Sequence, residues 1–346
     1  MTETSAPPSA TTAPAPEPGT APQRKRRATA VGHFFEKFAL LLLTVAVFVF
    51  FTFFPASSTA FPTANNLSVI FGSQAVIALI AIAALFPLVG GRFDFSLGAV
   101  AAMSQTLAAG LMAKSGWPLW AAILLPVLLS SLVGIANGFF VTRMEMSPFV
   151  TTLGMAMLLF GINMWYTSGQ TIITGVDPAI VKFGSARFLG LPLVVYVVLV
   201  VAAIAWYVFT HTPYGRSLYA IGSNAASAKL VGIPVERNVW STFIVSSVIA
   251  GVAGIIQLSR LGSATASAGN EILFPALAAV FLGATAFTPG FFNVIGTLVG
   301  AVFVSISVSG LTLAGASGWA SNVFNGLALL IAVGLSTYLG RRRRRG

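Results

Sequence analysis

The chain contains no cysteine, two histidines and few charged residues among its 346 amino acids. The absence of cysteine excludes a disulfide framework, a cysteine-ligated zinc site and a thiol nucleophile. The two histidines, His33 and His211, are too few and too far apart in sequence for most imidazole metal sites, so we expect no metal centre. Charged residues make up 8% of the chain, against about 25% in soluble domains. So few charges exclude a soluble enzyme and indicate that lipid surrounds the protein.

Hydrophobic residues make up 56% of the chain and are concentrated in long runs. A membrane-spanning helix needs about 20 mostly apolar residues. The sequence therefore predicts an all-α integral membrane protein of about ten transmembrane helices, at residues 38–54, 66–89, 96–113, 119–141, 149–168, 192–209, 239–259, 272–288, 292–313 and 319–339. None of these segments contains Asp, Glu, Lys, Arg or His. The eighth is the least regular, because Pro275 near its start is compatible with a re-entrant segment.

Basic tails flank the apolar region. Residues 1–37 are rich in Ala, Pro, Thr and Ser at their start and carry a basic run at residues 24–27, so we predict a disordered cytoplasmic tail. The transmembrane domain is placed at residues 38–340, and a second basic tail at residues 341–346. Basic residues beside helix ends fix membrane topology at an anionic leaflet, which we favour over a role in binding nucleic acid.

The distribution of basic residues predicts the orientation of the chain. With the N-terminus in the cytoplasm, ten crossings return the C-terminus to the same side. Of the 19 Lys and Arg residues, this alternation leaves only four outside, namely Lys114, Lys182, Arg187 and Arg260. The excess of positive charge on one side agrees with the positive-inside rule and supports the alternation of the spans.

The predicted spans lack the groups that usually couple transport to an energy source. Proton-driven carriers place carboxylates or histidines in the membrane, and the spans contain neither. The chain also has no Gly-Lys dipeptide, so it lacks the phosphate-binding loop of P-loop ATPases. Scattered acids and lysines argue against a membrane enzyme. The protein is thus a passive pore or one part of a larger machine, with a sodium site built from carbonyls and hydroxyls as an open alternative.

The longest inside loop, at about residues 210–238, favours the larger machine. Asn224 is a good helix N-cap, residues 225–230 are strong helix formers, and Gly232 is a good helix stop. The loop is therefore predicted to contain a short helix at the cytoplasmic face. Such a helix suits a contact with another protein, although it could also be a surface helix that only links two spans.

Four segments resemble the ribose-type ABC permeases, which are the membrane subunits of bacterial monosaccharide importers. One segment lies in this loop and begins with Thr-Pro-Tyr-Gly-Arg at Thr212. The others begin at Gly91 (Gly-Arg-Phe-Asp-Phe-Ser-Leu-Gly), Pro148 (Pro-Phe-Val-Thr-Thr-Leu-Gly) and Leu282 (Leu-Gly-Ala-Thr). They occur in the family's order, and the resemblance covers residues 38–339. It marks a family motif at a helix start, formed by Asp94, Ser96 and Gly98, and a coupling loop that includes Gly215, Arg216, Asn224, Ala225, Ala228, Lys229 and Gly232.

The resemblance implies a ten-helix permease of the cobalamin-importer type with an inverted repeat. Two permease subunits would pair in the bacterial inner membrane. Two ATP-binding cassette ATPase subunits would dock on the cytoplasmic loops, and a periplasmic or lipid-anchored solute-binding protein would deliver the sugar. The chain would hold no cofactor, because ATP and Mg would bind to the ATPase subunits.

Two acidic residues lie at predicted helix starts, Asp94 before the third span and Glu271 before the eighth. A carboxylate there stabilises unpaired N–H groups and the positive end of the helix dipole, although a contact with substrate hydroxyls or a partner subunit is the functional alternative. The two acids lie five spans apart, so their helices run in opposite directions. This placement suggests the hypothesis that an inverted repeat relates spans 2–5 to spans 7–10.

Uncharged polar residues in the spans are the candidates for the solute pathway: Gln74, Gln105, Asn137, Thr151, Asn163 and Gln257. A weakly polar lining suits a neutral polyhydroxylated solute better than an ion. The leading interpretation is therefore an ABC importer permease for a neutral sugar or similar solute. The alternative is a sodium-coupled or facilitative carrier that acts without an ATPase.

Overall fold

The computed structural model describes residues 23–345, with side chains for residues 37–335 other than Asn270. The described elements, in chain order, are α1 (Gln23–Phe53), α2 (Ala64–Val89), α3 (Leu97–Ser115), α4 (Leu119–Thr142), α5 (Pro148–Thr167), α6 (Pro178–Ser185), β1 (Arg187–Phe188), β2 (Leu191–Pro192), α7 (Leu193–His211), α8 (Pro213–Ser223), α9 (Ala225–Leu230), α10 (Val235–Leu261), α11 (Ala268–Gly283), α12 (Val294–Leu313) and α13 (Gly318–Arg345). Strands β1 and β2 form a small antiparallel hairpin.

Seven of the described helices are long and apolar enough to cross a membrane: α2, α4, α5, α7, α10, α12 and residues Gly318–Leu335 of α13. Shorter apolar stretches lie in α1 at Lys37–Phe53 and in α11 at Glu271–Gly283. This confirms an all-helical integral membrane protein. Helix α1 begins at Gln23, inside the segment predicted to be a disordered tail, and residues 1–22 lie outside the described part of the chain.

The eighth predicted span differs most from the observed helix. Helix α11 begins four residues earlier than predicted, at Ala268, and continues through Pro275. It ends at Gly283, before the predicted end at residue 288, and the chain then turns at Phe287 with a φ of 60°. Apolar content alone did not reveal this end, because the turn residues are themselves apolar.

In the middle of the molecule, α2 and α3 both pack against α10 and α11. Helix α2 is buried along most of its length because small residues alternate with Ile and Leu and leave no polar face. Helices α4, α5, α7 and α13 lie at the periphery and leave most of their surface exposed. Exposed Leu, Phe and Val side chains on these outer helices suit contact with lipid.

Some helices in the second half of the chain pack in a pattern that corresponds to that of helices in the first half. Helix α10 begins 171 residues after α2, at Val235 and Ala64, and α11 begins 171 residues after α3, at Ala268 and Leu97. Helix α3 packs on α10, α4 and α5, and correspondingly α11 packs on α2, α12 and α13. An inverted repeat produces such reciprocal packing. Asp94 and Glu271 lie at the starts of α3 and α11, as predicted, although the residue that corresponds to Asp94 by this spacing is Thr265.

The helix ends form two surfaces, which we call the α9 end and the α6 end after the short helices they carry. The basic residues described at the α9 end are Lys37, Arg92, Arg143, Arg216, Lys229 and Arg237. Those at the α6 end are Lys114, Lys182, Arg187 and Arg260. This division matches the alternation predicted from the sequence.

Candidate functional site

The chain is extended between α2 and α3, and a buried carboxylate organises this segment. Gly91 turns the chain with a φ of 73°, and Asp94 lies buried three residues later. One carboxylate oxygen of Asp94 accepts hydrogen bonds from the backbone N–H of Ser96 at 2.9 Å and from its hydroxyl at 2.6 Å. The other accepts a longer bond, 3.4 Å, from the hydroxyl of Ser246 on α10. Asp94 thus binds an amide at the helix start, as a carboxylate there is expected to do.

Three further helices hold this segment in place. The side-chain amide of Asn137 on α4 donates to the hydroxyl of Ser96 at 2.9 Å. The backbone N–H of Phe95 donates to the hydroxyl of Thr152 on α5 at 3.0 Å. Together with Ser246 on α10, these bonds connect the start of α3 to α4, α5 and α10. We call Asp94, Ser96, Asn137 and Ser246 the Asp94 network.

Helices α3 and α11 begin against each other in the interior. Gly98, in the first turn of α3, faces Gly269, in the first turn of α11, and a Cβ on either residue would overlap the carbonyl oxygen of the other. From this point α3 runs to the α6 end and α11 runs to the α9 end. The N-terminal turns of both helices, with their unpaired N–H groups and positive dipole ends, therefore lie together inside the molecule.

A cavity of about 280 Å³ lies beside these two helix starts. Its walls come from α5 and from the first turns of α3 and α11 with the residues just before them. The polar side chains in the lining are Asn163 and Ser267, and apolar ones include Phe95, Met157 and Phe160. Asn163 is only 1% exposed. Its Oδ1 accepts a hydrogen bond from Thr106 at 2.8 Å, while its Nδ2 has no partner in the described structure. A buried donor without a partner in a cavity wall is suited to binding a hydroxyl oxygen.

The other predicted pathway residues do not all meet here. Asn137 joins the Asp94 network, and its Oδ1 has no described partner; Thr151 on α5 likewise has an unpartnered hydroxyl. Gln74 lines a different, apolar cavity of about 170 Å³ between α2, α7 and α12. Gln257 lies on α10 and is in the lining of neither cavity. The structure thus brings one predicted residue, Asn163, to the cavity.

Sequence reasoning missed Phe95 and Ser267 as cavity residues. The sequence did contain a signal, because Ser96-Leu97-Gly98 recurs as Ser267-Ala268-Gly269 at the same spacing of 171 residues. A glycine with positive φ precedes each tripeptide, namely Gly91 and Gly262. The two segments share little else, so the similarity is evident only when the helices are known to correspond.

The loop between α7 and α10 folds as two short helices, α8 and α9. The hydroxyl of Thr212 caps α8 by accepting from the N–H of Gly215 at 3.2 Å, and the side chain of Asn224 caps α9 by accepting from Ser227 at 3.1 Å. Helix α9 ends at Leu230, and Gly232 follows with a φ of 82°. The predicted short helix, its cap and its stop are confirmed, because all three depend on local sequence.

Helices α8 and α9 are attached firmly to the bundle on one side. The hydroxyl of Tyr219 donates to the carbonyl of Phe292 at 2.7 Å, and burial raises its pKa, so the donor stays protonated at physiological pH. Gly222 lies directly against the backbone of Val89 and Gly91 at the end of α2. This contact places α8 beside the segment that leads to Asp94. The buried faces of these helices also include Gly215 and Ala228.

The opposite side of α9 is open. Arg216, Asn224 and Lys229 are exposed, and Ala225 is half-buried. Leu230 and Val231 at the end of the helix are 88% and 76% exposed. Sequence reasoning did not single them out, although two adjacent apolar residues before a glycine stop in a polar loop were a signal. Helix α9 thus presents an exposed apolar end while its other side is attached to the bundle. Such an end is suited to insertion into a partner protein.

Comparison with known proteins identifies the family. Residues 66–333 match the family described as "Branched-chain amino acid transport system / permease component". The ribose import permease protein of Haemophilus influenzae is 33% identical over 82% of this chain and 88% of its own length. That of Bacillus subtilis is 34% identical over 75% and 80%, and the D-allose transport system permease protein of Escherichia coli is 31% identical over 88% and 91%. No solved structure matches the chain. The chain therefore belongs to this permease family and, within it, to the ribose-type ABC permeases.

Proposed function

We propose that this chain is the membrane-spanning permease subunit of an ABC importer that moves a neutral sugar or sugar-like solute across the bacterial inner membrane. The observation that carries the proposal is the similarity, over most of the chain, to permeases named for the import of ribose and for the transport of allose. The chain itself holds no ATPase site in this proposal. ATP and Mg bind to separate ATPase subunits, and their hydrolysis drives transport.

The proposed topology has ten transmembrane helices, as in permeases of the cobalamin-importer type. The other three crossings are assigned to α1, α3 and α11. Helices α3 and α11 begin in the interior, and each completes its crossing together with the extended segment that precedes it. The α9 end faces the cytoplasm, because the described basic residues there outnumber those at the α6 end. Both termini are then cytoplasmic.

The proposed partners are a second permease subunit, two ATPase subunits and a periplasmic or lipid-anchored solute-binding protein. Helix α5 lines the cavity beside Asn163 and lies at the periphery of the bundle, which supports a helix that is covered by the second subunit. Nothing lies within 4 Å of a Cβ placed on Gly154 or Gly161, so a second helix can approach α5 closely. The cavity beside Asn163 would then open toward the subunit interface, along which the solute passes.

Helix α9 is proposed to transmit the movement of the ATPase subunits. We expect Leu230→Glu to leave the permease folded, because this side chain is exposed, and to lower ATP-driven uptake about tenfold or more, because an unpaired carboxylate is costly to bury in an apolar contact. The measurement is uptake of radiolabelled ribose and ATP hydrolysis in proteoliposomes that contain the whole transporter. Ala226→Glu introduces the same charge at another exposed position of α9 and is the matched control. Equal uptake by both variants and wild type would contradict the proposed coupling.

The cavity is proposed to form part of the solute pathway through Asn163. We expect Asn163→Leu to slow uptake about fivefold, because one hydrogen bond to a solute hydroxyl is lost. Stability should change little, because the hydroxyl of Thr106, which donates to Asn163, can donate instead to the carbonyl of Ala102 at 2.9 Å. Initial uptake rates and melting temperature measure the two effects. Met157→Leu conserves volume in the same wall and should leave both unchanged. An unchanged rate in Asn163→Leu places the pathway elsewhere.

The alternative function, a sodium-coupled or facilitative carrier, makes the opposite prediction for the chain alone. Purified permease in vesicles without ATPase subunits should neither accumulate solute under a sodium gradient nor equilibrate solute faster than protein-free vesicles do. Sodium-driven accumulation or accelerated equilibration would overturn the proposed function.

A further inference from the structure

A second cavity, of about 690 Å³, opens at the α9 end between the end of α4, the end of α9 and the start of α10. Its lining combines two kinds of residue. Charged side chains are contributed by Arg143, Lys229, Glu236 and Arg237, and apolar walls by residues that include Trp240 and Ile244. Lys229 belongs to the coupling loop, whereas neither the family resemblance nor the proposed solute pathway assigns a role to Arg143, Arg237 or Trp240.

The charged side of the cavity is strongly positive. Three cations face one acid, Glu236, whose Oε2 lies 3.8 Å from Nη1 of Arg143. Both side chains of this pair are more than half exposed, so the ion pair is weak. Lys229 on α9 and Arg237 on α10 have no described acidic partner. The cavity mouth therefore carries an excess of two positive charges, and an anionic group would neutralise them.

The apolar side extends away from these charges along α10. Ile244 lies nine residues after Val235, which corresponds to about 13 Å along a helix. Between them, the indole N–H of Trp240 donates to the carbonyl of Ile135 at 3.0 Å, and the ring packs against Gly138 on α4. The indole N–H thus has a hydrogen-bond acceptor, and the rest of the Trp240 ring forms an apolar wall of the cavity. Tryptophan is enriched at membrane–water interfaces, where lipid headgroups lie.

We propose that this cavity binds an anionic phospholipid, with the phosphate held by Arg143, Lys229 and Arg237 and an acyl chain lying along Trp240 and Ile244. Positive charge at the mouth and apolar surface below it match the two parts of such a lipid, and basic cavities between helix ends on the cytoplasmic side are suited to lipid headgroups. Because Lys229 belongs to α9 and Arg237 to α10, the bound lipid would link the coupling helix to the bundle. This proposal rests on the proposed function in one respect only, namely that the α9 end lies at the cytoplasmic leaflet.

The test uses the full-length chain alone in detergent micelles, without ATPase or solute, so its outcome is independent of transport activity. Binding of phosphatidylglycerol and of phosphatidylcholine is measured by native mass spectrometry. We expect the wild type to prefer phosphatidylglycerol over phosphatidylcholine. This preference should fall about fivefold in each of the single variants Arg237→Gln and Arg143→Gln. We expect Glu236→Gln to raise binding, because it removes the only acid in the lining and frees Arg143.

Matched controls separate this cavity from general surface charge. Arg216→Gln, at the same end but outside the lining, and Lys182→Gln, at the α6 end, should bind phosphatidylglycerol as the wild type does. Ile244→Trp should fill the apolar floor and reduce lipid binding without changing charge. The proposal is overturned if both lipids bind equally, if the charge variants bind like wild type, or if inorganic phosphate competes as well as the lipid.

Discussion

Replacing Gly98 with alanine is expected to destabilise the permease by about 3 kcal/mol and to abolish uptake, although the change adds a single methyl group. The new Cβ would overlap the carbonyl oxygen of Gly269, which belongs to helix backbone and cannot rotate away. The first turns of α3 and α11 would have to separate, and both the Asp94 network and the cavity beside Asn163 depend on their position. The melting temperature of the purified chain and ATP-driven uptake in proteoliposomes measure the effect.

Gly161→Ala is the matched control, because it adds the same methyl group to helix α5 where nothing lies within 4 Å. It should leave the isolated chain as stable as wild type or more stable by up to about 1 kcal/mol, since alanine favours helix over glycine. Gly269→Ala should repeat the loss seen in Gly98→Ala. The double variant should lose less stability than the two single variants lose together, because one separation of α3 from α11 accommodates both methyl groups. Additive losses would show that the two glycines do not share a contact.

Local sequence was sufficient to predict the parts of the structure that depend on neighbouring residues. Helix α9, capped by Asn224 and followed by Gly232, was predicted with its bounds because a cap and a stop act within a few residues. Most membrane helices followed from the length of apolar runs. Helix α6 shows a missed local signal, since Asp177 accepts from the N–H of Ala179 at 2.8 Å and is followed by Pro178 at the first helical position.

The candidate site depended on contacts that sequence periodicity does not encode. Gly98 meets Gly269 across 171 residues, and the sequence indicated only that both lie near helix starts. Asn163 and Gln74 are both amides on apolar helices, yet Asn163 faces the cavity at the helix starts and Gln74 faces an apolar cavity elsewhere. Which amide lines which cavity is decided by the rotation of each helix in the bundle, and that rotation is set by packing.

Asp94→Ala is expected to lower stability by about 3 kcal/mol or more, whereas Asp94→Asn should remain close to wild type. Alanine leaves the buried N–H of Ser96 without an acceptor. It also removes the carboxylate that accepts hydrogen bonds from the hydroxyls of Ser96 and Ser246. An asparagine Oδ1 can still accept from Ser96, and its Nδ2 can donate to the hydroxyl of Ser246. Melting temperature and uptake, measured together on each variant, distinguish the hydrogen-bond geometry of residue 94 from its charge.

Ser246→Ala supplies the control for this comparison. Its hydroxyl lies 3.4 Å from the carboxylate and also donates to the carbonyl of Phe243 at 3.0 Å, so its removal should cost less than about 1 kcal/mol. If Asp94→Asn instead abolishes uptake while its melting temperature matches wild type, the carboxylate acts through its charge during transport. Because Phe95, the next residue, lines the cavity, that charge would lie next to the proposed solute pathway. If both Asp94 variants keep wild-type stability, the Asp94 network does not hold the start of α3.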